Sequence, residues 1–219
     1  MNKVLLLDFD GVIFKHKSAL NIVSNKAARF VKNNIKVNNR DSHIINKYLY
    51  KSFGHTVNGL NKIGYNIKVE EYNNYIYNNI DYKRIFNNIN EKDIEDIIKI
   101  INICKEKQIK LYIFSNSPEI WYKNIMECMN LNMNDFDYIN NMNMLKPEKE
   151  LYNKIENEFT KQIYFVDDSF VNFTHTLLNP KWINIMLDRK TINIDAYGTP
   201  NLNLKIIKDL DEIIPIILE

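Results

Sequence analysis

Asp8 and Asp10 stand two residues apart in the stretch Asp8-Phe9-Asp10-Gly11, directly after the apolar run Val4–Leu7. In extended backbone alternate side chains point the same way, so both carboxylates can face one site. Gly11 lets the chain turn sharply there and approach a ligand closely. A second acidic pair, Asp167-Asp168, follows the apolar run Ile163–Val166, and Ser115 follows Leu111–Phe114. Carboxylates gathered at one point repel unless a cation or a shared proton relieves them. Mg²⁺ suits such a set, because it takes a few carboxylates together with waters and a substrate phosphate. Phosphoryl transfer in turn requires a nucleophile, neutralisation of the equatorial oxygens and a proton donor for the leaving oxygen. Asp8 is the candidate nucleophile, kept ionised by Mg²⁺ and by Lys146. Asp10 is the candidate acid, protonating a leaving alkoxide and later activating water. Ser115 and the backbone N–H of Asn116 can hold phosphate oxygens with Lys146, aided by the N-terminus of the following helix.

These side chains can meet only if the fold carries them to one edge. Val4–Leu7, Leu111–Phe114, Ile163–Val166 and Trp182–Leu187 have the length and composition of buried parallel strands. Helical patterns lie between them. Asn90 or Asp93 can cap a helix through Ile94, Ile97, Ile98, Ile101 and Cys104. Ser117-Pro118-Glu119 reads as a helix start, with a capping hydroxyl, Pro in the first helical position and an acid in the first turn. Pro147-Glu148 does the same for a helix through Leu151, Tyr152 and Ile155. Strands alternating with helices predict an α/β fold, a mainly parallel Rossmann-like sheet covered on both faces. Asp8, Ser115 and Asp167-Asp168 then stand just beyond the carboxyl ends of three strands, where open parallel sheets bind ligands.

Residues 16–89 break the alternation. They predict helices over Ala19–Val31, Ser42–Phe53 and Val69–Ile80, with Gly54, Gly59 and Gly64 punctuating the middle. This divides the chain into a catalytic core of residues 1–15 and 90–219 and a helical cap of residues 16–89 over it. Tyr48, Tyr50, Tyr72 and Tyr75 fall at helical spacing and read as packing. Phe53 and His55 are the candidate cap residues for substrate.

The ordered set Asp8-Phe9-Asp10-Gly11-Val12, Phe114-Ser115-Asn116, Lys146-Pro147-Glu148 and Val166-Asp167-Asp168-Ser169 resembles the four motifs of haloacid-dehalogenase-like phosphohydrolases. Asn172 fits the last of them. The resemblance implies a Rossmann-like core and Mg²⁺ held by the Asp8 carboxylate, the Asp10 backbone carbonyl and Asp167. The resemblance puts Asp168 in or beside the shell that orients the ligands, so it reads as a further ligand, a group that orients one, or a helix cap for the segment starting at Ser169. In the cap, Phe14-Lys15-His16-Lys17-Ser18, the stretch from Tyr50 to Leu60, and Glu71-Tyr72-Asn73 look like the pyrimidine 5′-nucleotidase-type members, which implies a nucleoside monophosphate as substrate. Gly11-Val12, where that branch more often has Asn-Thr, is common in sugar-phosphate-processing relatives and keeps a phosphosugar mutase or sugar phosphatase open. Dehalogenase relatives lack the second aspartate, which Asp10 supplies here. A catalytically idle binding module is the alternative from another class, although all four motifs are intact.

Composition narrows the partners. The 219 residues carry a formal net charge of +2 with 45% hydrophobic and 26% charged residues, a globular balance without the basic excess that nucleic acid or an anionic membrane demands. Cys104 and Cys128 form no CxxC pair, and His16, His43, His55 and His175 show no metal-ligand spacing. The first apolar run is too short for a signal peptide or a membrane span. The expectation is a cytoplasmic protein acting on a small phosphate ester, with its oligomeric state left open.

Overall fold

The computed structural model describes residues 3–82, 91–138, 144–188 and 203–219. Six parallel strands form one sheet: β1 (Val4–Leu7), β2 (Lys110–Ile113), β3 (Asp137–Tyr138), β4 (Ile163–Asp167), β5 (Trp182–Leu187) and β6 (Leu204–Ile207). Their order across the sheet is β3-β2-β1-β4-β5-β6. The chain moves out to one side of β1 and then returns to build the other. The crevice of such a sheet opens at that reversal, beside the C-terminal end of β1.

Alternation along the strands sorts their side chains into two apolar layers. Leu5, Leu7, Leu111, Ile113, Tyr164, Val166, Ile185 and Leu187 share one cluster. It includes Ile97, Ile100 and Ile101 of α5 (Glu91–Glu106), Trp121 and Ile125 of α6 (Glu119–Cys128), and Ile213 and Ile217 of α8 (Ile213–Leu218). Val4, Leu6, Tyr112, Phe114, Ile163, Phe165, Trp182 and Met186 face the other way, against Leu151, Tyr152 and Ile155 of α7 (Lys149–Glu158). Both sheet faces are therefore covered, as an all-parallel sheet requires.

Between β1 and α5 the chain forms α1 (Lys17–Ile35), α2 (Asn39–Phe53), α3 (Thr56–Lys62) and α4 (Val69–Tyr77). His16 caps α1 by accepting from the Ala19 N–H, and Asn38 caps α2 by accepting from the Asp41 N–H. Ala27, Phe30, Val31, Leu49, Leu60, Tyr72 and Ile76 join the same apolar cluster as β1, so this helical block is continuous with one layer of the core.

Several expectations need correction. β3 and β6 were not anticipated, and neither was α3, which runs through Gly59 rather than stopping there. A Cβ on Gly59 would stand 2.7 Å from a Leu49 methyl, so the glycine marks the close crossing of α3 over α2 and not a break. Of the tyrosines read as packing, only Tyr72 is buried; Tyr48, Tyr50 and Tyr75 are exposed. α4 ends at Tyr77, short of Ile80. Asn90, the alternative cap for α5, and the 89/90 boundary lie outside the described residues. Among the described residues, no helix is long and apolar enough to cross a membrane.

Candidate active site

Register brings the acidic residues level. Leu7 pairs with Ile113 on one side and with Val166 on the other, so the residue that follows β1, Asp8, comes level with Asp167. The Asp8 N–H continues the ladder by donating to the Val166 carbonyl at 2.9 Å. Asp8, Asp167 and Asp168 each offer a carboxylate oxygen within 4.8 Å of the others. Asp168 reaches them by lying against Gly11, whose φ of +91° and missing side chain both matter: a Cβ there would meet Asp168 Oδ2 at 2.2 Å.

Lys146 is the cation of this cluster. Its Nζ lies 3.0 Å from Asp8 Oδ1 and 2.6 Å from Asp167 Oδ2, and the side chain is 1% exposed. The ammonium rests over the rings of Phe114 and Phe165, 5.0 and 5.5 Å from their centroids, and the two rings lie against each other at 5.2 Å. Asn116 holds the lysine's backbone from both sides, accepting from the Lys146 N–H at 2.7 Å and donating to its carbonyl at 3.0 Å. The Asn116 side chain is therefore committed to positioning Lys146. Asn172 donates to both oxygens of Asp167 at 2.9 Å, and the Ser169 N–H donates to one of them at 2.8 Å.

The charges do not balance. Burial opposes the charge on Lys146, but Asp167 and Asp8 more than offset it and hold the ammonium above its ordinary range. Asp8 is nonetheless pushed well above the usual carboxylate range, first by burial and then by Asp167, Asp168 and Asp10, against the pull of Lys146. One lysine is too little for the carboxylates around it. A hard divalent cation with oxygen ligands fits this donor set and would remove the imbalance.

Asp10 points into a different environment. Its Oδ1 accepts from the Trp121 indole N–H at 2.8 Å, and its Oδ2 accepts from the Ser117 hydroxyl. Burial raises its pKa, while those two bonds and Lys146 pull the other way. The Ser117 hydroxyl, read from sequence as a helix cap, serves Asp10 instead. α6 starts one residue later than anticipated, with Pro118 as its N-cap and no capping side chain. Ser115 is buried just past β2, where its hydroxyl accepts from the Ser117 N–H at 3.2 Å. The site thus keeps its two first-motif carboxylates apart: Asp8 faces a lysine and two further acids, whereas Asp10 faces two neutral donors.

The helical block reaches this site at the last turn of α2 and at the end of α4. Gly54 closes α2 with φ +72°, and a Cβ there would lie 2.6 Å from Pro147 Cδ and 2.9 Å from the Lys146 carbonyl. One turn earlier, Tyr50 has its hydroxyl pushed well above the phenol range, by burial and then by Asp168, Asp8, Asp167 and Asp10. The residue is still 47% exposed, which puts it at the mouth of the site rather than its floor. Tyr77, from α4, stands with its hydroxyl 3.3 Å from Ser117 Oγ. From sequence Tyr50 reads as packing, because helical spacing makes an aromatic look so, and nothing local marks Tyr77 or Trp121 as site residues. Phe53 and His55 make their described contacts inside the block. Phe53 sets its ring edge-on to Tyr48 and lies against Gly59. His55 caps α3 by accepting from the Val57 N–H, is buried against Tyr72, and has its pKa lowered to about 4 by that burial.

Comparison with known proteins agrees with this geometry. The family model for haloacid dehalogenase-like hydrolases matches residues 2–173. Among solved structures, the chain is similar to a HAD phosphatase from Thermococcus onnurineus, with 14% identity, 98% of this chain and 97% of that one covered, and a TM-score of 0.55. It is also similar to the magnesium-bound HAD-hydrolase YfnB from Bacillus subtilis, at 15% identity, 100% and 99% coverage and a TM-score of 0.56. An L-2-haloacid dehalogenase from Xanthobacter autotrophicus, with chloropropionic acid covalently bound, matches at 10% identity, 100% and 99% coverage and 0.53. At these identities the structural matches speak for the fold alone. The family match spans most of the chain, every strand of the sheet runs parallel, and the carboxylates converge at the end of β1: this protein belongs to the haloacid dehalogenase-like hydrolases.

Proposed function

We propose that the protein is a Mg²⁺-dependent phosphomonoesterase acting on a small phosphorylated metabolite, with nucleoside monophosphates preferred, through an aspartyl-phosphate on Asp8. The observation that carries this reading is the division of labour between Asp8 and Asp10. Two carboxylates two residues apart, one beside a buried ammonium and one on neutral donors, are suited to opposite roles. An acid in the second role serves the departure of an alkoxide and has no use in the departure of a halide.

Asp8 attacks phosphorus through a carboxylate oxygen, and the bond from phosphorus to the ester oxygen breaks. Asp10 gives its proton to that oxygen, so the alcohol leaves neutral. The ionised Asp10 then takes a proton from water as the water attacks the same phosphorus. The acyl-phosphate bond breaks, inorganic phosphate leaves and Asp8 is restored. Lys146 favours the ionised form of Asp8 and aims it, a bound cation would complete that neutralisation, and Ser115 and the Asn116 N–H bind phosphoryl oxygens in this reading. Asp8, Asp167 and Asp168, with the Asp10 carbonyl, are the groups that would hold the metal. Mg²⁺ supplies neutralisation of phosphoryl charge when bound. The block α1–α4 acts as a cap over the crevice, excluding bulk water and large substrates. A membrane or a nucleic acid polymer has no part in this reading, and a cytoplasmic location suits it.

The test is release of inorganic phosphate from a panel of nucleoside monophosphates and sugar phosphates. Release that requires both Mg²⁺ and Asp8, and that stops with EDTA or in Asp8→Asn, is the expected result. Silence across the panel with folded, Mg²⁺-loaded protein refutes it.

A further inference from the structure

We propose that Trp121 and Ser117 are positioning residues for Asp10, and that Tyr77 ties this pair to the helical block, so that seating of the block sets the aim of the acid. The inference rests on the phosphomonoesterase reading and deepens it.

The two donors act on different oxygens of one carboxylate, Trp121 Nε1 on Oδ1 and Ser117 Oγ on Oδ2. Two bonds on opposite oxygens fix the plane of the group as well as its place. A single bond would leave it free to swing about the Cβ–Cγ axis. Residues 117 and 121 flank the start of α6, so one rigid turn delivers both donors.

The indole cannot drift. Trp121 is wholly buried, boxed by Phe14, Tyr77 and Tyr82 at centroid distances of 5.9, 5.4 and 6.0 Å. Indole N–H is a donor only, and its one proton is used on Asp10. A buried tryptophan that needed only to pack could be replaced by phenylalanine; the polar edge turned onto a carboxylate is what distinguishes this position.

Ser117 is held in turn. Its N–H donates to Ser115 Oγ at 3.2 Å, and its hydroxyl meets that of Tyr77 at 3.3 Å. Tyr77 closes α4, and its ring also lies against Trp121. One residue of the block therefore touches both members of the clamp. If the block lifts, Ser117 loses a partner and the indole loses one wall of its box at the same moment.

General acid help matters in proportion to how badly the leaving oxygen needs a proton. An alkyl ester needs it, whereas 4-nitrophenolate departs unaided. With Trp121→Phe the expected result is a fall in kcat of about 30-fold on an alkyl monophosphate and under about 3-fold on 4-nitrophenyl phosphate, part of the 10²–10⁴-fold that acid catalysis contributes. KM should move little for either. Ser117→Ala should show the same selective loss, and Ser117→Thr, which keeps the hydroxyl, should recover most of it. Tyr77→Phe should give the same pattern at about 3- to 5-fold on the alkyl ester, a fraction of that same contribution. Equal losses on both esters in Trp121→Phe and Ser117→Ala, with no recovery in Ser117→Thr, overturn the proposal and leave the phosphomonoesterase reading in place. Wild-type protein that turns over neither ester overturns both.

Discussion

Set side by side, the sheet region and the helical block differ most in what they bury. The sheet region buries Asp8, Asp96, Lys146, Asp167 and Asp188, whereas the described residues of the block bury only Ser42, Asn46, His55 and Thr56 among polar side chains. His55 is held neutral there. Removing charge from water is costly, so buried charge persists where it has partners or a use. The block meets its polar needs with short neutral bonds, such as Thr56 Oγ1 to Asn46 Oδ1 at 2.8 Å. The difference teaches where the two halves place their polar groups: the sheet region tolerates crowded charge at one edge, and the block is built to pack.

The largest effects should come from that edge, and they should carry opposite signs. Asp8→Asn is expected to cut phosphate release by about 10³-fold or more, as loss of a nucleophile does. The same change should stabilise the metal-free protein by about 1 kcal/mol, because it takes one negative charge out of an overcrowded cluster. Urea unfolding in EDTA reads the second effect, and lower stability of the variant would contradict the charge imbalance. Lys146→Met is expected to destabilise by about 3 kcal/mol, since it leaves Asp8 and Asp167 buried beside each other without their cation. Saturating Mg²⁺ should return part of that loss, which a purely steric defect would not allow.

The same contrast decides what could be read from sequence. β1 and β4 are buried along their whole length, so their apolar runs gave their bounds almost to the residue, and the site residues followed as the polar positions at their ends. β3 and β6 escaped for a physical reason. β3 is two residues long, and β6 is an edge strand whose residues are mostly half-exposed, so neither carries a run of buried apolar residues. In the block, periodicity marked α1, α2 and α4 but neither α3 nor which end meets the core. Gly54 looked like a breaker, yet it is the point where α2 touches Lys146-Pro147. Ser117 had all the marks of a cap, and only the fold reveals that Asp10 lies within its reach. Trp121 and Tyr77 come from α6 and α4, far apart in sequence, and no local pattern links them to Asp10.

The block can be tested through His55. Burial holds His55 neutral down to about pH 4, whereas the unfolded chain protonates it near 6.5. Between those values the unfolded state binds more protons, so this contribution is complete above about pH 6.5 and is lost as pH falls. The expected loss between pH 7.5 and pH 5 is about 2 kcal/mol from this group. His55→Asn keeps a capping side chain for α3 and removes the titration. Its stability should therefore fall less steeply than that of the wild type over the same range. Parallel curves from chemical denaturation would mean that His55 is not held in a dry interior.

The smallest effect sharpens the comparison at the contact between the two regions. Gly54 and Gly64 both have positive φ, +72° and +100°, so an alanine at either strains the backbone by about 1 kcal/mol. Their surroundings differ. At Gly64 a Cβ meets nothing within 4 Å, whereas at Gly54 it meets Pro147 Cδ and the Lys146 carbonyl at under 3.0 Å. Backbone and a proline ring cannot rotate aside, so α2 must shift away from the edge where Lys146 is set. Gly54→Ala should then cost about 1 kcal/mol more than Gly64→Ala, a typical price of a small overpacking. It should also slow turnover, because Tyr50 and the seat of the block move with the last turn of α2, while Gly64→Ala should alter stability only. If both variants lose the same stability and keep the same turnover, the block is not seated on the sheet through Gly54, and the contact between the regions lies elsewhere.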